Sequence, residues 1–387
     1  MSSTISCDVA IVGGGLAGAL IALALGRKRP DLNLRLIEAS DRIGGNHVWS
    51  FFASDVAPAD RWLIAPLISH GWTGYGVAFP GHARAIRAPY YAIESGRLDQ
   101  VVRAALPAER LMLGHKVLGA SPGAVVLANG DRVAARGVID CRGPGELSHL
   151  ALGWQKFLGR ELRLEAPHSF LRPMIMDARV EQRDGYRFVY ALPFDPMRVF
   201  VEDTYYSDSP VLNPDRLRGR VHAYAEAQGW RAERVIREES GVLPVAIGGD
   251  FEAYWQSGGK RIAKAGLRGG LFHPLTGYSL PDAVRTAVLV AGAGDYSGNA
   301  LHDLLHDHAR ATWSKRGFYR TLAAMLFRAA EPEARYRVLE RFYRLDERLI
   351  ARFYAARSTP IDKMRVLGGK PPVPLKGALR AVLGTRK

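Results

Sequence analysis

Residues 7–39 read CDVAIVGGGLAGALIALALGRKRPDLNLRLIEA. Asp8 to Val12 is a short run in which one acid leads into apolar residues, as expected of a parallel strand covered on both faces. Gly13, Gly14 and Gly15 end it. Leu16 to Leu25 then carries Ala and Leu on every side, which predicts a buried helix, and Arg27 to Pro30 mark a surface turn. Asn33 to Ile37 predicts a second strand, so the stretch forms one βαβ unit. The uncharged run Val9 to Gly26 also has the length of a membrane span or signal peptide. Asp8 precedes it, a basic leading region is missing and glycines crowd its first half, so the buried strand, turn and helix are the better reading.

Gly13, Gly15 and Gly18 satisfy GxGxxG directly after the strand and at the helix start, and Glu38 closes the second strand. The glycines serve a tight turn, a close approach of backbone to pyrophosphate, and close packing of helix on sheet. With Leu16 and Ala17 they open a helix whose free N–H groups and dipole hold a diphosphate. Glu38, followed by Ala39, is expected to accept hydrogen bonds from an adenosine ribose. Arg42-Ile43-Gly44-Gly45 after the acid is the pattern of flavoproteins of the glutathione-reductase type, which makes the dinucleotide FAD rather than NAD. Two later segments agree. Val138 to Gly143, with Asp140 and Gly143, resembles the strand that returns to the flavin. Gly270 to Leu280, with Pro274, Thr276, Gly277 and Tyr278, resembles the late flavin loop that opens a helix below the isoalloxazine. Just before it, Ala265-Gly266-Leu267 departs from the general flavoprotein pattern, which has an acid after the glycine.

Between Gly45 and Tyr91 the pattern loosens into Trp-rich and Pro-rich loops, and a helix is expected from Arg97 to Leu106. Short strands with turns at Ser121-Pro122-Gly123 and Asn129-Gly130 then run to Ile139 as a meander returning to the first sheet. Tyr186 to Leu192 and Arg198 to Tyr206 are aromatic and β-branched, and predict an antiparallel hairpin in a second sheet. A helix starts near Leu280, and the chain after Leu301 reads as helical until Pro371 and Pro372. The fold class is therefore α/β. It has a Rossmann-type FAD-binding domain (1–60, 92–150 and 260–310), an interleaved antiparallel-sheet substrate domain (61–91 and 151–259) and a basic helical region (311–387).

The 387 residues are 48% hydrophobic and 24% charged, which is ordinary for a globular chain and excludes a disordered one. The net charge of +15 is not evenly spread: residues 311–387 hold 18 Lys and Arg against 6 Asp and Glu, a net of +12. Such a tail suits anionic lipid head groups or nucleic acid, or it is a solvated helical face. It lacks a recognised nucleic-acid module, so no nucleic-acid partner is expected. Cys7 and Cys141 are the only cysteines and imply no disulfide framework, so a reducing cytoplasm is the expected compartment. His302, His306 and His308 with Asp303 and Asp307 have helical spacing that suits a metal. A polar helix face is the preferred reading, and no metal is expected.

The stretches GGNHVWSFF (44–52), HSFLRPMIMDA (168–178), GYRFVYALPF (185–194), VFVEDTYYSD (199–208), GLRGGLFHPLTGYSLPDAV (266–284) and LIARFYAARSTPIDKMRVLGGKPPVP (349–374) together resemble the bacterial lycopene beta-cyclase family. The resemblance implies a reduced flavin that is not consumed, NAD(P)H as its electron source, and an acyclic C40 carotenoid closed at its ends to β-rings, giving beta-carotene via gamma-carotene. It implies an isomerase rather than a redox enzyme; the competing reading is an FAD-dependent oxidoreductase or monooxygenase acting on an apolar isoprenoid.

Such a cyclisation starts by protonating an alkene and ends by removing a proton, so the site needs a carboxylic acid that stays protonated near neutrality and something to stabilise a cation. Phe200-Val201-Glu202-Asp203-Thr204 matches the family's pattern and makes Glu202 the candidate acid, with Asp203 as an orienting residue or a surface group. On a strand the two face opposite ways. Phe188, Tyr190, Phe200, Tyr205 and Tyr206 are aromatic candidates for the pocket, or core, and Asp177 falls in a family stretch without an assigned role. A C40 hydrocarbon resides in the bilayer, so peripheral association with the inner face of the cell membrane is expected, with carotenoid-pathway enzymes as neighbours. Phe318, Tyr319, Leu322, Met325, Leu326 and Phe327, then Leu349, Ile350, Phe353 and Tyr354, lie among arginines in a mixture that suits interfacial docking or packing of a helical subdomain on the core.

Overall fold

The structure is a computed structural model and describes residues 4–369. Strand β1 (Thr4–Val12), helix α1 (Leu16–Lys28) and strand β2 (Leu34–Ile37) form the expected βαβ unit. The region expected as loops instead holds β3 (Val48–Phe52), α2 (Arg61–Ile64), β4 (His70–Trp72), β5 (Tyr75–Phe79), β6 (His82–Ile86) and β7 (Tyr90–Glu94). Its Trp, Tyr and Phe residues suit a pleated, half-buried surface. Then come α3 (Ser95–Ala105), β8 (Leu111–Met112) and the meander β9 (Val117–Ser121), β10 (Ala124–Leu127) and β11 (Arg132–Asp140).

The middle of the chain carries β12 (Leu150–Leu164), β13 (Met174–Asp177), β14 (Tyr186–Asp195), β15 (Arg198–Ser207), α4 (Pro214–Ala227) and β16 (Ala232–Gly249). The last part has α5 (Phe251–Ser257), β17 (Ala263–Lys264), α6 (Leu280–Ala291) and α7 (Gly298–Lys315), then α8 (Gly317–Arg328), α9 (Tyr336–Phe342), α10 (Glu347–Tyr354) and α11 (Pro360–Leu367). Pro371 and Pro372 lie outside the described residues.

The first sheet has the order β8-β2-β1-β11-β10-β9, with β17 also beside β11. β1 runs parallel to β2 and to β11, so the meander does return to the first sheet. α1 is buried along its length from Leu16 to Leu25 and shares one core with α3, α6 and α7. The second sheet has the order β16-β12-β15-β14-β13-β5-β6, and β3, β7 and β4 make a small third sheet.

The hairpin β14–β15 sits near the middle of the second sheet, and the alternation along it sorts the faces. Val189, Val201 and Tyr205 pack with Leu217 and Val221 of α4. Phe188, Phe200 and Tyr206 point to the other side, where Phe327, Phe353 and Tyr354 join them. Tyr319, Leu326, Phe327, Leu349, Ile350, Phe353 and Tyr354 are therefore core, and Phe318, Leu322 and Met325 pack against that core. The buried residues of α8 and α10 are covered by the fold and not free to dock, while Phe318, Leu322 and Met325 are half-buried. Part of the tail's charge is also paired. Arg316 makes two hydrogen bonds of 2.7 Å to Asp282, Arg352 binds Asp362 at 2.7 Å, and Arg335 is buried against the Phe327 carbonyl at 2.8 Å. Among the described residues no helix is long and apolar enough to cross a membrane.

Gly18 shows how tightly α1 sits on β1: a Cβ there would lie 2.0 Å from the Gly13 carbonyl oxygen. Intrinsic helix propensity favours Gly18→Ala by about 1 kcal/mol, but overpacking against backbone costs about 1–3 kcal/mol. We expect Gly18→Ala to be destabilised in urea unfolding; a higher midpoint would refute the close contact.

Candidate active site

A cavity of about 620 Å³ lies between the first and second sheets. At one end it is walled by Gly13, Gly15, Leu16, Ala17, Glu38 and Ala39. Gly13 has φ +100°, and a Cβ there would lie within 3.1 Å of Arg142 N and the Cys141 carbonyl, so only glycine fits the turn. α1 begins at Gly15 with no side-chain cap and no acid in its first turn. A Cβ on Gly15 would meet nothing within 4 Å. Free N–H groups facing open space, with no competing anion, fit a diphosphate. Glu38 is held at the end of β2 by the Gly14 N–H at 2.7 Å and the Ser40 N–H at 2.9 Å.

Gly44, Gly45, Gly143, Thr276, Gly277 and Tyr278 also line the cavity. Gly18, Arg42, Asp140 and Pro274 do not. Gly18 packs α1 on β1, and Arg42 is exposed at the surface. Asp140 is buried beneath the cavity and accepts hydrogen bonds from Arg142 Nε at 2.9 Å and Nη2 at 2.8 Å. The residue that reaches the cavity there is Arg142, which the glycine and acid motifs do not point to. Pro274 belongs to a loop organised by buried His273. Its Nδ1 accepts the N–H groups of Leu275 and Thr276 at 3.2 and 3.3 Å, which leaves Nε2–H to donate to the Phe353 carbonyl at 3.2 Å.

The other end of the cavity is one face of the second sheet. Gln155 and Phe157 of β12, Tyr190 and Leu192 of β14, Phe200 and Glu202 of β15, and Glu239 and Leu243 of β16 all project from it. Glu202 Oε1 accepts the Thr204 hydroxyl at 2.6 Å. Burial pushes the Glu202 carboxyl up to about 7, with the Thr204 bond opposing the shift and the Asp203 charge adding to it. Asp203 is neither in the cavity nor at the surface: it faces α4, fully buried, and accepts Arg187 Nε at 2.8 Å and Nη2 at 2.6 Å. Asp177 is likewise structural, bound to Arg179 at 2.7 Å and to the Tyr224 hydroxyl at 3.0 Å. Of the aromatic candidates, Tyr190 and Phe200 line the cavity. Phe188 and Tyr206 are core, and Tyr205 lies on the α4 side.

Glu239 was not legible as a site residue, because Arg234 to Ser240 reads as a solvated charged run until β16 is seen paired with β12. A second, narrower cavity of about 110 Å³ is lined by Met176, Leu275, Leu322, Phe342 and Tyr354, and Thr276 borders both. His302 is bonded to Trp255 and Asp303, and His306 to Glu252. Among the described residues no group of three or more His, Cys, Asp or Glu is arranged to hold a metal.

The architecture is of the Rossmann-type α/β class with a second sheet that is antiparallel except where β13 runs parallel to β5. Solved structures with this fold include a geranylgeranyl bacteriochlorophyll reductase-like protein from Thermoplasma acidophilum (TM-score 0.62, 14% identity, covering 99% of this chain and 100% of that one). Another is the flavin-dependent brominase Bmp2 (TM-score 0.59, 14% identity, 98% and 99%). The family model described as lycopene cyclase protein matches residues 8–380, and the chain belongs to that family. It is 43% identical over 380 residues to the lycopene beta-cyclase of Pantoea ananas, covering 98% of this chain and 99% of the relative. It is 44% identical over 376 residues to that of Pseudescherichia vulneris, covering 97% of each.

Burial, reinforced by Arg316, pushes His273 from its ordinary 6.5 down to about 3. The unfolded chain binds this proton near 6.5 and the folded chain does not. Its contribution is thus present above that pH and is lost as pH falls toward 3, by at most about 1.4 kcal/mol per pH unit. We expect His273→Gln to flatten the fall of the urea midpoint across that interval; an unchanged slope would remove His273 as its cause.

Proposed function

We propose that the protein is a lycopene beta-cyclase that holds FAD in the large cavity and isomerises the ends of lycopene to β-rings without net redox change. The carrying observation is Glu202: a carboxyl held near neutrality by burial, on an aromatic wall facing a dinucleotide cradle. Gly13, Gly15, Leu16 and Ala17 would seat the diphosphate, Glu38 the ribose, and Arg142 and the loop Thr276-Gly277-Tyr278 the flavin end. Reduced FAD, primed by NAD(P)H, would supply a negative charge that stabilises a cation when bound.

Glu202 donates its proton to the terminal double bond, a carbon–carbon bond closes the ring, and a carboxylate takes up the proton that leaves. Tyr190 and Phe200 present π faces that stabilise the cation between those steps. The walls exclude water, which would otherwise capture the cation and give an alcohol. An alkene is a very weak base, so its partner must still carry a proton at neutral pH, and a carboxyl raised by burial does so.

The test is anaerobic incubation of the protein with lycopene-loaded liposomes and reduced FAD. We expect a product of unchanged mass. A product heavier by oxygen, or changed by hydrogen, would instead establish a monooxygenase or reductase. Glu202→Gln should retain flavin while losing turnover by at least about 10²-fold; normal turnover would take Glu202 out of the mechanism.

We further propose that the protein meets its substrate at an anionic bilayer through α11. Ile361, Met364 and Leu367 are exposed there beside Lys363 and Arg365, and Leu367 also borders the narrow cavity. Vesicles containing phosphatidylglycerol should sediment the wild type and bind less of an Ile361→Ser/Met364→Ser/Leu367→Ser variant. Equal binding by the two would exclude this helix.

A further inference from the structure

Glu202 is not the only carboxyl on the cavity wall. In the second sheet, Gly159 of β12 is the register partner of Glu202 on β15 and of Glu239 on β16. The two glutamates therefore stand on the same face, two strand spacings or about 10 Å apart at the backbone, with a residue that has no side chain between them. The space over Gly159 is taken by the Phe200 ring, 2.3 Å from where a Cβ would be. The gap between the carboxyls thus has an apolar floor and opens into the cavity that both line.

The surrounding groups leave the pair without a neutralising cation at bonding distance. Glu239 Oε2 accepts the Val48 N–H at 2.9 Å and lies 3.8 Å from His47 Nδ1. Burial and Arg237 hold His47 below its ordinary value, so it is a neutral neighbour at neutral pH. Arg237, two residues along β16, turns to Glu94 at 3.5 Å and Glu161 at 3.4 Å. Tyr190 is the register partner of Glu202 on β14, and Asp203 faces α4 with Arg187. Burial pushes Glu239 well above its usual range and the Glu202 charge pushes it further, against the opposing Arg237 charge and Val48 N–H, so each carboxyl resists the ionisation of the other.

We propose that Glu202 and Glu239 share one proton and divide the acid and base work of the cyclisation, Glu202 giving the proton and the Glu239 carboxylate receiving the one that leaves the ring. This rests on the cyclase reading given above. The balance closes: Glu202 loses a proton to the alkene, one carbon–carbon bond forms, the ring carbon loses a proton to Glu239, and transfer between the carboxyls restores the start. No electron is gained or lost.

The test has two readouts. Infrared titration of the protein, with Glu carboxyls labelled by carbon-13, should show two coupled steps and one carboxyl still protonated at neutral pH. In Glu239→Gln, Glu202 should titrate in a single step at lower pH; in Glu202→Gln, Glu239 should do the same. Unchanged titration of the remaining carboxyl in either variant overturns the shared proton, whatever the protein's substrate. In turnover, Glu239→Gln should lower kcat by about 10²-fold with KM and flavin content unchanged and remove the acidic limb of the pH profile, which the base sets. A bell-shaped profile with kcat near wild type overturns the base role. If the wild type does not cyclise lycopene at all, the cyclase reading fails and the titration still decides the pair.

Discussion

The ion pair between Arg187 and Asp203 is the contact on which the active site depends. It joins β14 to β15 on the α4 side of the sheet, at 2.6 Å and out of contact with water. A slip of one residue in β15 would put Asp203 in the cavity and Glu202 against α4, and would turn Val201 and Tyr205 out of the core they share with that helix. Breaking a buried ion pair costs about 3–5 kcal/mol. The pair lies outside the cavity, but it helps to hold the register that turns Glu202, and not its neighbour, toward the cavity.

The cavity wall works by the same alternation. Residues at every second position of β12, β14, β15 and β16 face it, and apart from the amide of Gln155 they are aromatic, apolar or carboxylic, with Arg237 turned elsewhere. Arg237 lies 5.8 Å from the Phe200 ring centroid while its guanidinium turns to Glu94 and Glu161. A cation placed against Glu202 would pull its proton off. Its absence from bonding distance lets burial raise the carboxyl to the range in which it serves as an acid.

The carboxy-terminal helices show how a basic segment is absorbed into a fold. Arg316 locks α6 through Asp282, Arg352 locks α11 through Asp362, and Arg335 lies beneath Phe327. Among the described residues Arg316, Arg335, Arg344 and Arg352 are paired with acids, while Lys315, Arg328, Arg337 and Arg348 stay exposed. α11 adds an outward apolar and basic surface beside the narrow cavity that leads toward Thr276.

Cys7 to Ala39 carried the dinucleotide cradle unaided, because strand, glycine turn, helix and acid interact over short separations and their spacing is dictated by the phosphates they surround. The hairpin with Glu202 was legible for a similar reason, as two aromatic strands joined by a tight turn. Arg142 and Glu239 are not legible in this way, and Asp203 reads locally as an orienting or surface group: Arg142 is set by Asp140 and the Val117 carbonyl, Glu239 by β12 and the Val48 N–H, and Asp203 by Arg187 and α4, neighbours that only the fold brings together. The sequence could say that Glu202 and Asp203 face opposite sides. Only the pairing of β12 with both β15 and β16, across Gly159, decided which side was the cavity and that a second carboxyl waits there: strand neighbours are chosen by register and packing, and neither is written in local sequence.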